Sequence, residues 1–165
     1  MLPILTLALI SASAPSSLVS LFEAACLDGQ VRLRSDELTP ITVNQLPGAL
    51  RDSLGKPLSG NIWRLNGYGQ SFLYTLNYGE GPGISPKVCG LASDEMDLSS
   101  AADALQFRVT GNVDRMSTRT AQWVNTKDGY IATATTASSF NVLQISWMGA
   151  SDREAARTTY GQVHN

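Results

Sequence analysis

Residues 66–83 read NGYGQSFLYTLNYGEGPG, and the role of their glycines decides the fold class. A phosphate cradle would need a strand, a glycine loop and then a helix, with Lys-Ser/Thr or G-x-G-x-x-G spacing. Strands flank this loop instead. NIWRLN (61–66) sets Ile62 and Arg64 against Trp63 and Leu65. SFLYTLNY (71–78) sets Phe72, Tyr74, Leu76 and Tyr78 against Leu73, Thr75 and Asn77. Such period-two alternation of strand-forming residues marks a half-buried strand. Asn66-Gly67 can take positive φ at both positions, which makes NGYGQ a hairpin turn. GEGPG (79–83) leads into the extended ISPKVCGLA with no helix start, so it is an exit loop.

Working outward, PKVCGLAS (86–93) alternates as a third strand that carries Cys89. DLSSAADALQFRV (97–109) is the clearest helix, with Leu98, Ala101, Ala102, Leu105 and Val109 on one side and Asp97 as N-cap. TAQWVNT (120–126) and YIATATTAS (130–138) flank the tight turn Lys127-Asp128-Gly129, and ASSFN turns the chain into VLQISWM (142–148). Upstream, Leu18, Leu21, Phe22 and Ala25 line one face of a short helix ending near Cys26. LPGALRDSLGK (46–56) is a second short helix, with Pro47 in its first turn and Gly55 at its end. Residues 31–45 read as irregular, with Pro40 among them.

The expected fold is α+β. It has an antiparallel sheet of about six strands, because most connections are too short for parallel crossovers, and one long and two short helices on one face. The 97–109 helix should join two groups of three strands. One domain spans 17–149, and 150–165 is a polar, weakly helical tail expected to fray.

At 165 residues, with 43% hydrophobic and 16% charged, the chain has the composition of a single globular domain. Its 12 basic and 14 acidic residues are mixed along the chain, with no basic block to neutralise phosphates, which argues against nucleic acid as a partner. MLPILTLALISASAPSS opens with an apolar run, Leu2–Ile10, followed by Ala12-Ser13-Ala14 as an A-x-A cleavage site. This is the pattern of a secretory signal over residues 1–16, and the run is far short of the roughly 20 residues that span a bilayer. The expected location is periplasmic or secreted, with no transmembrane segment in the mature chain. In that compartment the only two cysteines, Cys26 and Cys89, read as one disulfide.

The only histidine is His164, in the C-terminal tail. Ser-His-Asp, Cys-His and histidine–metal chemistry each need an imidazole held by the core, so no such machinery and no cofactor or metal site is expected. SDEMD (93–97) gathers Asp94, Glu95 and Asp97, which read mainly as a capped helix start. Asp94 and Glu95, with Glu80 of the exit loop, are the candidate acid/base carboxylates. Trp63, Tyr68, Tyr74, Tyr78, Trp123, Tyr130 and Trp147 could form a stacking platform for a sugar or peptide, although core packing is the usual role of such residues. Tyr68, in the turn, is the candidate ligand contact.

The signal-like start, then LFEAACLDG with the F-x-x-x-C spacing of Phe22 and Cys26, then a second mid-chain cysteine, resembles small uncharacterised exported proteins of Gram-negative bacteria. The resemblance implies export and no particular activity. The sequence therefore points to an exported binding or accessory module for an unknown protein or small ligand. The alternatives are a small hydrolase or lyase using carboxylates, Tyr or Arg, and an inhibitor of another exported protein.

Overall fold

The computed structural model describes residues 17–29, 36–81, 83–109, 111–117 and 119–160. Residues 1–16, read as an export signal, and His164 lie outside them. The strands are β1 (Leu38–Ile41), β2 (Ser59–Leu65), β3 (Ser71–Asn77), β4 (Lys87–Ser93), β5 (Asn112–Ser117), β6 (Thr120–Asn125), β7 (Tyr130–Ala137) and β8 (Phe140–Trp147). The α-helices are α1 (Leu18–Phe22), α2 (Gly48–Leu54), α3 (Leu98–Arg108) and α4 (Ala150–Tyr160).

The strands form one antiparallel sheet in the order β1-β2-β3-β4-β8-β7-β6-β5. Two four-stranded meanders meet at the β4–β8 pair, and α3 carries the chain from the centre to the far edge. The α+β class and the antiparallel pairing are those expected. The sheet has two more strands than the six foreseen, and both lie at its edges. β1 contains Pro40, which cannot donate a ladder hydrogen bond and is tolerated at an edge. β5 has a register shift between Val113 and Arg115 that breaks the alternation a strand normally shows.

Alternation along the central strands builds two cores. On the first face, Leu73, Cys89, Leu91, Leu143 and Ile145 pack with Leu21 and Phe22 of α1 and Ala101 and Leu105 of α3. Phe22 and Leu105 are fully buried, each stabilising the fold by about 1.5–3 kcal/mol. On the second face, Ile62, Phe72, Tyr74, Leu76, Val88, Ala92 and Val142 pack with Leu50 and Leu54 of α2. The expectation of helices on one face is therefore corrected. Leu46, Leu50 and Leu54 share a stripe that needs an apolar partner, and the second face of β2–β4 offers one.

The segment 150–160 is also corrected from a frayed tail to a helix. No residue of α4 is buried, so polar contacts attach it. The Asp152 carboxylate accepts the backbone N–H of Gly83 at 3.0 and 3.2 Å, and Arg153 donates to the Lys127 carbonyl.

A polar row crosses the second face, with Tyr74 and Gly90 buried and Gln144 half-buried. Tyr74, Gly90 and Gln144 are neighbours across β3, β4 and β8. The Tyr74 ring lies over Gly90, and its hydroxyl donates to Gln144 Oε1 at 2.9 Å. Burial, and then the neighbouring Tyr78, push the Tyr74 phenol far above its ordinary pKa. A Cβ on Gly90 would lie 2.3 Å from Tyr74 Oη and 2.4 Å from Cζ. Glycine in this strand is thus required for a close approach. Gly90→Ala should destabilise the protein by about 1–3 kcal/mol, the cost of overpacking a filled core. Urea unfolding measures it, and an unchanged midpoint would show that Tyr74 does not occupy this position.

Candidate functional site

β3, β6 and β8 end, and β4 and β7 begin, at one end of the sheet. There Lys87, Trp147 and Tyr130 sit side by side in register across β4, β8 and β7, all on the first face. Asn77 extends the row on one side and Asn125 on the other. The α1 helix continues into a π-helical turn, Glu23–Leu27, closed by Asp28 N–H donating to the Glu23 carbonyl at 2.9 Å. Turns of this kind are rare and often occur at functional sites. This one sets Cys26 against β4.

Cys26 and Cys89 are disulfide-bonded, with Cα atoms 5.5 Å apart, inside the range the bond needs. The pairing expected from the sequence is present. It clamps the π turn to the sheet beside Trp147.

The turn's far side is tied to α3. Arg108 Nη2 donates to both oxygens of Asp28 at 3.2 Å, and Arg108 Nε lies 3.6 Å from Glu23 Oε2. Both bonds come from one nitrogen, so the contact is a bifurcated pair between half-exposed side chains. In the β6–β7 turn the Asn125 amide donates to Asp128 Oδ2 at 2.9 Å, and Asp128 N–H donates back to Asn125 Oδ1 at 2.8 Å.

Between these walls lies a cleft of about 440 Å³, lined by Cys26, Leu27, Asp28, Arg108, Asp128, Tyr130, Ile145 and Trp147. A second hollow of about 230 Å³ is lined by Thr75, Lys87, Cys89 and Gly29, and also by Cys26, Leu27, Asp28 and Trp147. Trp147 therefore stands between two compartments. Lys87 Nζ sits 5.0 Å from the centroid of its ring, within cation–π range.

The residues singled out from the sequence divide between the two ends of the sheet. Ser71 pairs with Ser93 at one end, and Asn77 with Lys87 at the other, roughly 20 Å away at the usual strand rise. Tyr68, Asp94 and Glu95 belong to the first end. Asp94 accepts Gln70 N–H at 3.0 Å, Glu95 N–H donates to Ser93 Oγ at 3.0 Å, and Tyr68 packs partly buried against the first core. Glu80 is exposed in the loop at the other end. A glycosidase pair needs its carboxyls within about 10 Å, so the register separates Glu80 from Asp94 and Glu95.

Among the seven aromatic residues, Tyr74 and Trp123 are buried in the cores, and the Tyr78 hydroxyl donates to the Leu54 carbonyl at 2.6 Å. Trp63, like Tyr68, packs partly buried against the first core. Tyr130 and Trp147 alone among them line the cleft. Asp28, Lys87, Arg108 and Asp128 were not foreseen. The only signal for any of them was the tight turn that holds Asp128.

Among the described residues no cluster of three or more His, Cys, Asp or Glu could hold a metal ion, and no helix is long and apolar enough to cross a membrane. Comparison with protein-family models, with curated proteins and with solved structures gives no match.

Asp97 caps α3, its carboxylate accepting Ser100 N–H at 2.8 Å. That backbone hydrogen bond, reinforced by the Ser100 side chain, holds the Asp97 carboxyl below its ordinary pKa of 3.8. Its stabilising contribution is present above that pKa and is lost as pH falls through the lowered folded value. Asp97→Asn should keep the cap but flatten the loss of stability below about pH 4. Thermal midpoints at pH 7 and pH 3 measure this, and an unchanged acid limb would exclude a charged cap.

The clamp generates a second expectation. The bond joins residues 63 apart, so replacing both cysteines by alanine should cost about 2–4 kcal/mol on the chain-entropy scale. Unfolding in urea reads this directly, and a cost below about 1 kcal/mol would mean that packing alone holds the π turn.

Proposed function

We propose that this protein is an exported binding module, accessory to other components of the periplasm or the extracellular medium, with its ligand seated in the Trp147 cleft. The observation that carries the reading is Trp147 itself, which stands between two hollows that share the disulfide-clamped turn as a wall. A site built this way is pre-organised. The disulfide fixes one wall and the Asn125–Asp128 exchange another, so little order must be gained when a ligand enters. Aromatic rings with a few placed polar groups are the usual make-up of small-ligand sites.

Export is supported by the signal pattern of residues 1–16 and by the Cys26–Cys89 bond, since disulfides persist in oxidising compartments. At the hairpin end the Asp94 carboxylate is engaged by the Gln70 N–H.

The test is affinity capture from a low-mass metabolite and oligomer pool, read by native mass spectrometry on the disulfide-bonded chain and on Trp147→Ala. Wild type should retain a compound unchanged in mass, and the variant should lose most of that retention while keeping its fold by circular dichroism. Equal retention by both proteins would place the ligand elsewhere. Conversion of the retained compound would make the protein an enzyme.

A further inference from the structure

The larger compartment has an unbalanced charge. Among the described residues Arg108 is its only lining cation, and its guanidinium is committed to both Asp28 oxygens and to Glu23. Asp28 and Asp128 against Arg108 leave one negative charge in excess on the described lining; behind it stand Glu23, paired with Arg108, and Arg153, whose guanidinium lies against Gly129 and donates to the Lys127 carbonyl. Asp128 accepts from Asn125 through Oδ2, which leaves lone pairs for a further donor, since an ionised carboxylate has about four acceptor sites.

The aromatic rings add to this bias. Tyr130 and Trp147 are adjacent in register and both line the compartment. Ring faces carry negative potential and attract ammonium and guanidinium groups, most strongly on indole. The protein already shows this preference, because its own Lys87 ammonium sits at the Trp147 ring. Lys87 lines the smaller hollow and not the larger one. Among the described residues, the larger compartment thus offers Trp147 and Tyr130 with carboxylates and no lining cation beyond the paired Arg108.

Resting on the reading of this cleft as the ligand site, we infer that the larger compartment takes an organic cation, an alkylammonium or guanidinium group. The group is placed against Trp147 and Tyr130, with Asp128 as its charge partner. A neutral sugar could stack on the same rings but would leave the excess negative charge uncompensated. An anion would be repelled by Asp128.

Isothermal titration of the disulfide-bonded chain tests this with four probes: agmatine, tetramethylammonium, methyl glucoside and acetate. The two cations should bind and the other two should not. Asp128→Asn should weaken agmatine binding about fivefold or more, Trp147→Leu should weaken both cations at least threefold, and added salt should weaken wild type. Thermal midpoints of the variants confirm that each remains folded. Silence of both cations overturns the inference, as does cation binding indifferent to both substitutions. Methyl glucoside binding that depends on Trp147 would overturn the ligand class and leave the cleft as the site. If no probe binds, Trp147-dependent capture from the metabolite pool separates a wrong ligand class from a wrong site.

Discussion

The β4–β8 pairing is the contact on which the rest of the structure depends. Seven antiparallel partners, from Lys87↔Trp147 to Ser93↔Asn141, fuse two meanders that would otherwise each present a bare central edge. The fusion creates both cores, because Leu91 meets Leu143 on one face while Ala92 meets Val142 on the other. The helix α3 follows from the same constraint. A chain leaving β4 must cross the first face to reach the far edge before it can return as β8 beside β4. That crossing is what covers the larger core.

The pairing also builds the cleft. It places Lys87 next to Trp147, and the β7–β8 hairpin adds Tyr130 on the other side. The disulfide then fixes the π turn over this row, and α3 delivers Arg108 at its last turn, where a cation favours the helix dipole. Each of these groups comes from a different element. A change in register of one residue on β8 would turn Trp147 to the other face and dissolve the site.

At the opposite end of the sheet the acidic cluster of the sequence meets local structural needs. Asp94, Glu95 and Asp97 lie together because a strand must turn into a helix there. Asp94 closes on Gln70, the Glu95 backbone on Ser93, and Asp97 caps α3. These are local tasks, and a local run of acidic residues is enough for them. The cleft has no such run, since Asp28 and Arg108 are 80 residues apart.

The sequence by itself determined the elements that depend on near neighbours. The hairpin around Asn66-Gly67, the alternation of β2 and β3, the helix capped by Asp97 and the two-cysteine disulfide all rest on spacing or elimination. The two edge strands escaped it, because Pro40 and the β5 bulge erase the alternation that strands usually display. Only the tertiary structure decided which face α2 would cover, since its leucine stripe fits any apolar surface. It alone decided that the weakly helical 150–160 would hold as a helix, tied by polar contacts to Gly83 and Lys127 with no apolar stripe to announce them. It alone brought Lys87, Trp147 and Tyr130 into one row, because strand order and register arise from long-range pairing that no local pattern encodes.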